Sequence, residues 1–378
     1  MRTARLLEET REPLRLARAR PRVLIVGQPS PGGINTFIRQ LLEDPWLGEH
    51  AELEYLPTPL PPNTQPGALS APNVRGALGH TAAVFRRARG ADVVHLNMAG
   101  APILPLSRAV TLATAARSAG ARVILHLHTG MVETSLRSRE YRTLFRVVTR
   151  LADRLIVVSH PAEDAVAAIA GNVRRIGNGI DVRRFATGPK GEPPVLLYVG
   201  TVSEAKGLLD LRDALVSMRW DGEQSMRVVI AGDGTQDGPG AFERIQRAFE
   251  DAGLSNVWFM GEVGPEEVAG LLARANIVCL PSHGEGFPFT VLEAMASEAA
   301  VVATTVGDIP HILAEGSGLL VEPRDPEGLA AAIGKLLANP EEREEMGRRA
   351  RARVKREFAQ MDVTRALLDT YREVAAES

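Results

Sequence analysis

The sequence predicts an α/β protein of two doubly wound domains, each a parallel sheet with helices on both faces. Three observations carry that expectation. Short apolar runs rich in β-branched residues recur at 22–26, 92–97, 121–126 and 154–158, and again at 195–199, 226–231, 256–259, 276–280 and 299–303. Stretches of helical period, such as 105–119 and 139–152, separate them. A segment holding Gly188, Pro189, Gly191, Pro193 and Pro194 breaks the rhythm once, near the middle. Apolar runs alternating with helices read as parallel strands buried on both faces. The Gly/Pro segment reads as a linker.

Length and composition agree. The 378 residues suit two domains at roughly 100–200 residues each. Apolar residues make up 45% and charged residues 24%, as in an ordinary globular chain. The net charge of -2 supplies no basic field, so no nucleic-acid partner is expected. Cys279 is the only cysteine and falls in an apolar run, which suits a small core residue better than a nucleophile. No apolar signal core and no run of about 18 apolar residues is present, so a cytoplasmic protein is expected.

Residues 1–20 form a basic leader, with Arg2, Arg5, Arg11, Arg15, Arg18 and Arg20 among leucines. Residues 21–185 are expected to form the N-terminal domain, 186–350 the C-terminal domain, and 351–378 a helical segment that packs back on the first. The run at 22–26 enters a Gly/Pro loop, where Gly32 and Gly33 can admit a phosphate or sugar to a helix start. His95, His126 and His128 close two of the runs. Strand alternation sets His126 and His128 on one face, but a metal site there lacks a convincing third ligand. Arginines at 137, 139, 142, 146, 150 and 154 include several at helical spacing. That helix and the leader offer a peripheral contact to anionic lipid; a solvated helical face explains them equally well.

The second half concentrates the chemistry. A run ends at Gly200, and Lys206 with Gly207 opens the next helix. A lysine there can pair with a diphosphate, although the spacing is not that of a Walker loop. Read alone, it is a surface lysine. Gly284 and Gly286 lie in a loop that enters a helix near Phe289. Glycines let a ligand approach the backbone, and a helix start offers free N–H groups to phosphate. Glu285 and Glu293 stand eight positions apart across that loop and helix. Carboxylates grip sugar hydroxyls through charge-assisted hydrogen bonds. Composition alone leaves them a turn residue and an exposed helix residue. The charge-rich stretch 341–358 reads as a solvated helical face.

Together these segments resemble the family-4 retaining glycosyltransferases. The likeness is strongest from Gly177 to Pro310, and its most specific element is the Glu-x7-Glu spacing of Glu285 and Glu293. The resemblance implies the GT-B fold, two Rossmann-like domains facing a cleft. It implies transfer of a sugar from a nucleotide-diphosphate donor, UDP- or GDP-linked, to an unidentified acceptor, with no metal and no cofactor. Under it Glu293 holds the ribose, Lys206 neutralises the diphosphate, and Glu285 grips the sugar with the backbone of Gly286, Phe287, Pro288 and Phe289. Gly33 shapes the N-domain side, from which His128 approaches the sugar. No enzymic nucleophile is required.

The chain departs from the family in three places. Thr201 follows Gly200 where an arginine commonly joins the lysine. The Gly-x-Pro turn after the Glu-x7-Glu helix reads Glu298-Ala-Ala300, and Gly-Gly-x-Pro-Glu reads Gly307-Asp-Ile-Pro-His311. Two alternatives share the architecture: a nucleotide-sugar 2-epimerase, and a non-catalytic protein that binds sugar nucleotides.

Overall fold

The computed structural model describes residues 20–29, 32–59, 70–99, 103–219, 226–234, 238, 240–255 and 257–377. The leader, except Arg20, and Asn256 of the run 256–259 lie outside the described residues. The chain forms two compact units, Met1–Gly177 with Asp362–Ser378 and Asn178–Met361.

The first unit runs β1 (Arg22–Gly27), α1 (Gly33–Leu42), α2 (Pro45–His50), β2 (Glu52–Pro57), α3 (Ala71–Ala88), β3 (Val93–Met98), α4 (Ile103–Ser118), β4 (Arg122–Leu127), α5 (Val132–Ser135), α6 (Arg139–Leu151), β5 (Arg154–Val157), α7 (His160–Ala167) and β6 (Val173–Arg175). Its strands are parallel, in the order β2-β1-β3-β4-β5-β6. β1, β3, β4 and β5 are buried along nearly their whole length, which is why they read as unbroken apolar runs. β2 and β6 lie at the edges and escape the sequence reading. Glu52 and Glu54 dilute β2, and arginines fill most of β6. Helix starts carry their signals: Asp44 accepts from Leu47 N at 3.1 Å, Ser138 from Tyr141 N at 3.3 Å and Ser159 from Ala162 N at 3.3 Å.

The second unit runs β7 (Val195–Val199), α8 (Leu208–Ser217), β8 (Arg227–Ala231), α9 (Ala241–Asp251), β9 (Val257–Gly261), α10 (Pro265–Arg274), β10 (Ile277–Leu280), α11 (Phe289–Ala296), β11 (Ala300–Thr304), α12 (Ile309–Ile312), β12 (Leu319–Val321), α13 (Pro326–Ala338) and α14 (Pro340–Glu357). Its parallel order is β12-β11-β10-β7-β8-β9. The chain winds outward in opposite directions from the neighbours β7 and β10. Such a reversal sends the two crossovers to opposite faces and leaves a crevice at the carboxyl ends of the two strands, where ligands bind in open α/β sheets. Helix α14 presents the solvated charged face expected at 341–358, with Glu344, Glu345, Arg348 and Arg349 exposed, and packs its other side inward. It buries Met346, Ala350 and Val354, and buried Arg353 donates to His311 O at 2.9 Å and Ile312 O at 3.1 Å.

The chain passes into this unit at Asn178 and leaves it after Met361. Ile180 bridges to Ala359 beside the exit. Helix α15 (Gln360–Ala376) then returns to the first unit. There Thr364 donates to Asp44 Oδ2 at 2.9 Å, Arg174 donates to Thr370 Oγ1 at 2.9 Å, and buried Tyr371 meets His95 at 2.8 Å.

Candidate functional site

The site is built from the loops that follow β7 and β10. After β7 the chain turns at Gly200, passes Thr201 and forms a short 3-10 turn, Glu204–Lys206. Ser203 caps that turn, its Oγ accepting from Lys206 N at 3.3 Å. Gly207 follows with φ 71°. A Cβ at this position would run into the carbonyl of Pro281, so glycine is what lets the two loops touch. Two further contacts tie them: His283 N donates to Ala205 O at 3.0 Å, and His283 Nε2 lies 2.7 Å from Asp210 Oδ2.

This packing brings Lys206 to Glu285, 79 positions away in sequence. The ammonium donates to Glu285 Oε1 at 2.6 Å, and Ser282 Oγ donates to the same oxygen at 2.7 Å. The carboxylate side chain is 12% exposed and the lysine 28%. The loop is also held from behind. Thr304 Oγ1 donates to Ser282 O at 2.5 Å, Asp308 N to Gly286 O at 3.0 Å and Asn178 Nδ2 to Phe287 O at 2.6 Å. Gly307, at φ 55°, packs so closely that a Cβ would overlap the carbonyls of Glu285 and Gly286.

Helix α11 begins at Phe289 with Pro288 as its N-cap and no side-chain cap. Its first N–H groups therefore remain for a ligand, at the positive end of the helix dipole. Glu293 lies half-buried further along this helix. Thr290 Oγ1 reaches back to Val199 O at 3.3 Å. A cation, an uncapped helix start and two carboxylates thus stand on adjacent strand-end loops and one helix. The set can take a phosphate and a hydroxyl-rich group together. Gly200, Thr201, Lys206, Glu285 to Phe289 and Glu293 all belong to these segments, and Lys206 and Glu285 touch. Thr201 accepts at its carbonyl from Tyr198 OH at 2.6 Å. Sequence reasoning does not single out Ser282, Asn178 or Gly307 for the work seen here. Gly307 appears there only as a departure from the family pattern.

Gly33 and His128 belong to the first unit. Gly33 is the exposed first residue of α1. His128 follows β4; its ring stacks on His126 with centroids 4.0 Å apart and meets Phe37 at 4.8 Å. Its Nε2 lies 2.9 Å from Asn97 Oδ1. His95 and His126 are fully buried, and His95 Nε2 meets His126 Nδ1 at 3.2 Å. Burial drives the His95 pKa down to about 3, so its ring stays neutral. His126 and His128, expected on one face, do share it as stacked rings. Cys279 is completely buried, and burial pushes its thiol far up. On α6, Tyr141, Phe145 and Val148 face inward while Arg139, Arg146 and Arg150 are exposed. Arg154 is paired with Glu377 at 3.1 Å. Among the described residues no helix is long and apolar enough to cross a membrane.

Comparison with known proteins gives this geometry a family. The profile of glycosyl transferases group 1 matches residues 180–353, and that of glycosyltransferase family 4 matches residues 15–184. A glycogen synthase of Mycobacterium tuberculosis is 32% identical over 252 residues, 65% of this chain and 59% of that protein. The matched part thus spans less than two thirds of that relative. Sucrose-phosphate synthase from Thermosynechococcus elongatus shares the fold, with TM-score 0.77, 21% identity, and 95% of this chain and 100% of that one covered. So does Anabaena HepE crystallised with UDP-glucose, with TM-score 0.74, 20% identity, and 93% and 100% covered. With two adjoining profile matches and the same two-sheet architecture, the chain belongs to the group 1, family 4 glycosyltransferases of the GT-B fold.

Proposed function

We propose that this protein is a retaining glycosyltransferase that moves a sugar from a UDP- or GDP-linked donor to an acceptor without a metal ion. The observation that carries the reading is the contact of Lys206 with Glu285 beside the uncapped start of α11. A diphosphate would sit on Lys206 and the N–H groups from Phe289 onward. Glu293 would hold the ribose hydroxyls. Glu285, with the backbone of Gly286 to Phe289, would hold the sugar. Gly33 and His128 are assigned to the donor on the family pattern. HepE was crystallised with UDP-glucose, which supports a nucleotide sugar as donor class.

The bond from the anomeric carbon to the diphosphate oxygen breaks, and a bond from that carbon to the acceptor oxygen forms on the same face. The acceptor proton passes to the leaving phosphate oxygen. Lys206 stabilises the charge that grows there. No enzymic nucleophile takes part, in keeping with the inert burial of Cys279. The test is donor turnover and product anomer by NMR, with wild type, Lys206→Ala and Glu285→Ala, in the presence of a chelator. Turnover lost on chelation, or an inverted product, would defeat the proposal.

Thr201 favours a second reading, a protein that binds sugar nucleotides without transferring the sugar. Binding of donor with no turnover on any acceptor pool would establish it. An epimerase would convert donor alone, which product analysis detects. The exposed Arg139, Arg146 and Arg150 of α6 suit a peripheral contact of a cytoplasmic protein with anionic lipid. Sedimentation with anionic vesicles tests that contact, and equal pelleting with neutral vesicles would remove it.

A further inference from the structure

We propose that Asn97 is a positioning residue that fixes His128 in the tautomer protonated on Nε2, leaving Nδ1 as a hydrogen-bond acceptor for a sugar hydroxyl. The proposal rests on the reading above for the role of His128, but its first part concerns the first unit alone.

The argument starts from the amide. Asn97 lies on β3 and is 2% exposed, so its amide must be satisfied within the protein. Its Nδ2 faces two backbone carbonyls, His95 O at 3.3 Å and Val26 O at 3.5 Å. Carbonyls only accept, so the NH2 end belongs on that side and Oδ1 on the other. Oδ1 then meets His128 Nε2 at 2.9 Å. An acceptor oxygen requires a donor, so Nε2 carries the proton. In a neutral imidazole the second nitrogen is then unprotonated.

The surroundings keep the ring neutral and in place. His126 stacks on it at 4.0 Å, with 29° between the planes, and Phe37 packs on it at 4.8 Å. Desolvation first, then the nearby His95, hold His128 well below the ordinary imidazole value. His126 is itself tied by its Nδ1 to His95, which is held by Tyr371 of the returning helix α15. Among the described residues Nδ1 of His128 makes no hydrogen bond, and it is not a buried unsatisfied atom. A lone pair presented this way attracts a hydroxyl and repels a phosphate oxygen. His128 therefore discriminates between the two halves of a nucleotide sugar.

The experiment is long-range nitrogen–proton NMR on the full chain labelled with nitrogen-15 histidine, with His128 assigned by loss of its signals in His128→Gln. Wild type should show a pyrrole-type shift at Nε2 and a pyridine-type shift at Nδ1. Asn97→Asp, which keeps an acceptor in place, should preserve the pattern and raise the pH at which the ring titrates. Asn97→Leu should lose it, giving mixed tautomers, and lower kcat with UDP-glucose about tenfold with little change in KM. A proton on Nδ1 in wild type would overturn the proposal. So would an unchanged tautomer in Asn97→Leu, provided its melting curve stays cooperative. If the tautomer result holds but no donor is turned over, the transferase reading fails and the positioning role stands.

Discussion

Replacing Glu285 with glutamine separates binding from catalysis at this site. The amide keeps the shape of the side chain and an acceptor oxygen for Lys206 and Ser282, now at 2.6 and 2.7 Å from the carboxylate, but it removes the negative charge. Two unit charges at about 4 Å attract by ~1 kcal/mol in water and ~4 kcal/mol at an effective dielectric of about 20. With the lysine 28% exposed and the carboxylate 12%, solvent screening moves the value towards the lower end, on the order of 1–2 kcal/mol. In the free protein that attraction competes with any diphosphate for Lys206. Its loss should therefore tighten bare UDP or GDP by about tenfold, since a factor of ten is about 1.4 kcal/mol. Transfer should move the other way. Removal of one preorganised electrostatic contact to the reacting group costs about 100- to 1,000-fold in kcat. Calorimetric titration with UDP and with GDP gives the first quantity, and single-turnover assays with the cognate donor give the second. Unchanged or weaker nucleotide affinity in a variant that melts like wild type would refute the competition argument. Retained turnover would refute the role of Glu285.

Three more outcomes follow from single residues. Glu293→Ala should raise the donor KM by about 10- to 100-fold with little change in kcat, because hydrogen bonds to a charged group contribute about 1.5–3 kcal/mol and ribose contacts are equal in ground and transition states; a kcat-only effect would contradict that. Gly307→Ala, at φ 55° against the carbonyls of Glu285 and Gly286, should cost more than about 1 kcal/mol in urea unfolding and depress turnover; wild-type values for both would show that the backbone gives way. His95 titrates at about 3 in the fold against 6.5 ordinarily, so the unfolded chain binds a proton that the fold rejects. Its neutral burial thus leaves stability unaffected above pH 6.5 and lowers it as the pH falls towards 3. Urea unfolding across that window should show a shallower pH slope in His95→Phe, and an equal slope would count against the buried neutral ring.

The fold was legible where apolar residues run unbroken, the exposed edge strand β9 included, and obscure where charge or shortness breaks the run. β3, β4, β7, β10 and β11 read directly as apolar runs because helices cover both faces of their sheets. The edge strands β2, β6 and β12 did not, since each exposes part of its length and two carry charged residues. Glu285 and Glu293 stood out only through the resemblance to the family's Glu-x7-Glu motif, since composition left them a turn residue and a helix residue. The residues that hold Glu285 and its loop were not legible, because Ser282, Asn178 and the pair Thr304 and Asp308 come from three different stretches of chain and none has a local pattern of its own. Asn97 was silent for a related reason. Inside an apolar strand a single polar residue is as easily a satisfied structural group, and only its two carbonyl neighbours and His128 give it a direction.

The meeting of Lys206 with Glu285 follows from strand order rather than from either loop. β7 and β10 are neighbours in the sheet although β8 and β9 lie between them in sequence. β7 sends its crossover through α8 to β8 on one side, while β10 sends its own through α11 to β11 on the other. A right-handed crossover in each direction places the two helices on opposite faces and leaves the intervening loops side by side. Glycine at 207 then allows contact with Pro281 that any Cβ would block. The lysine therefore needs no special local sequence beyond a glycine after it, whereas the carboxylate needs a loop pinned at three carbonyls. That asymmetry explains why one half of the pair is written as a recognisable motif and the other as a plain Lys-Gly step.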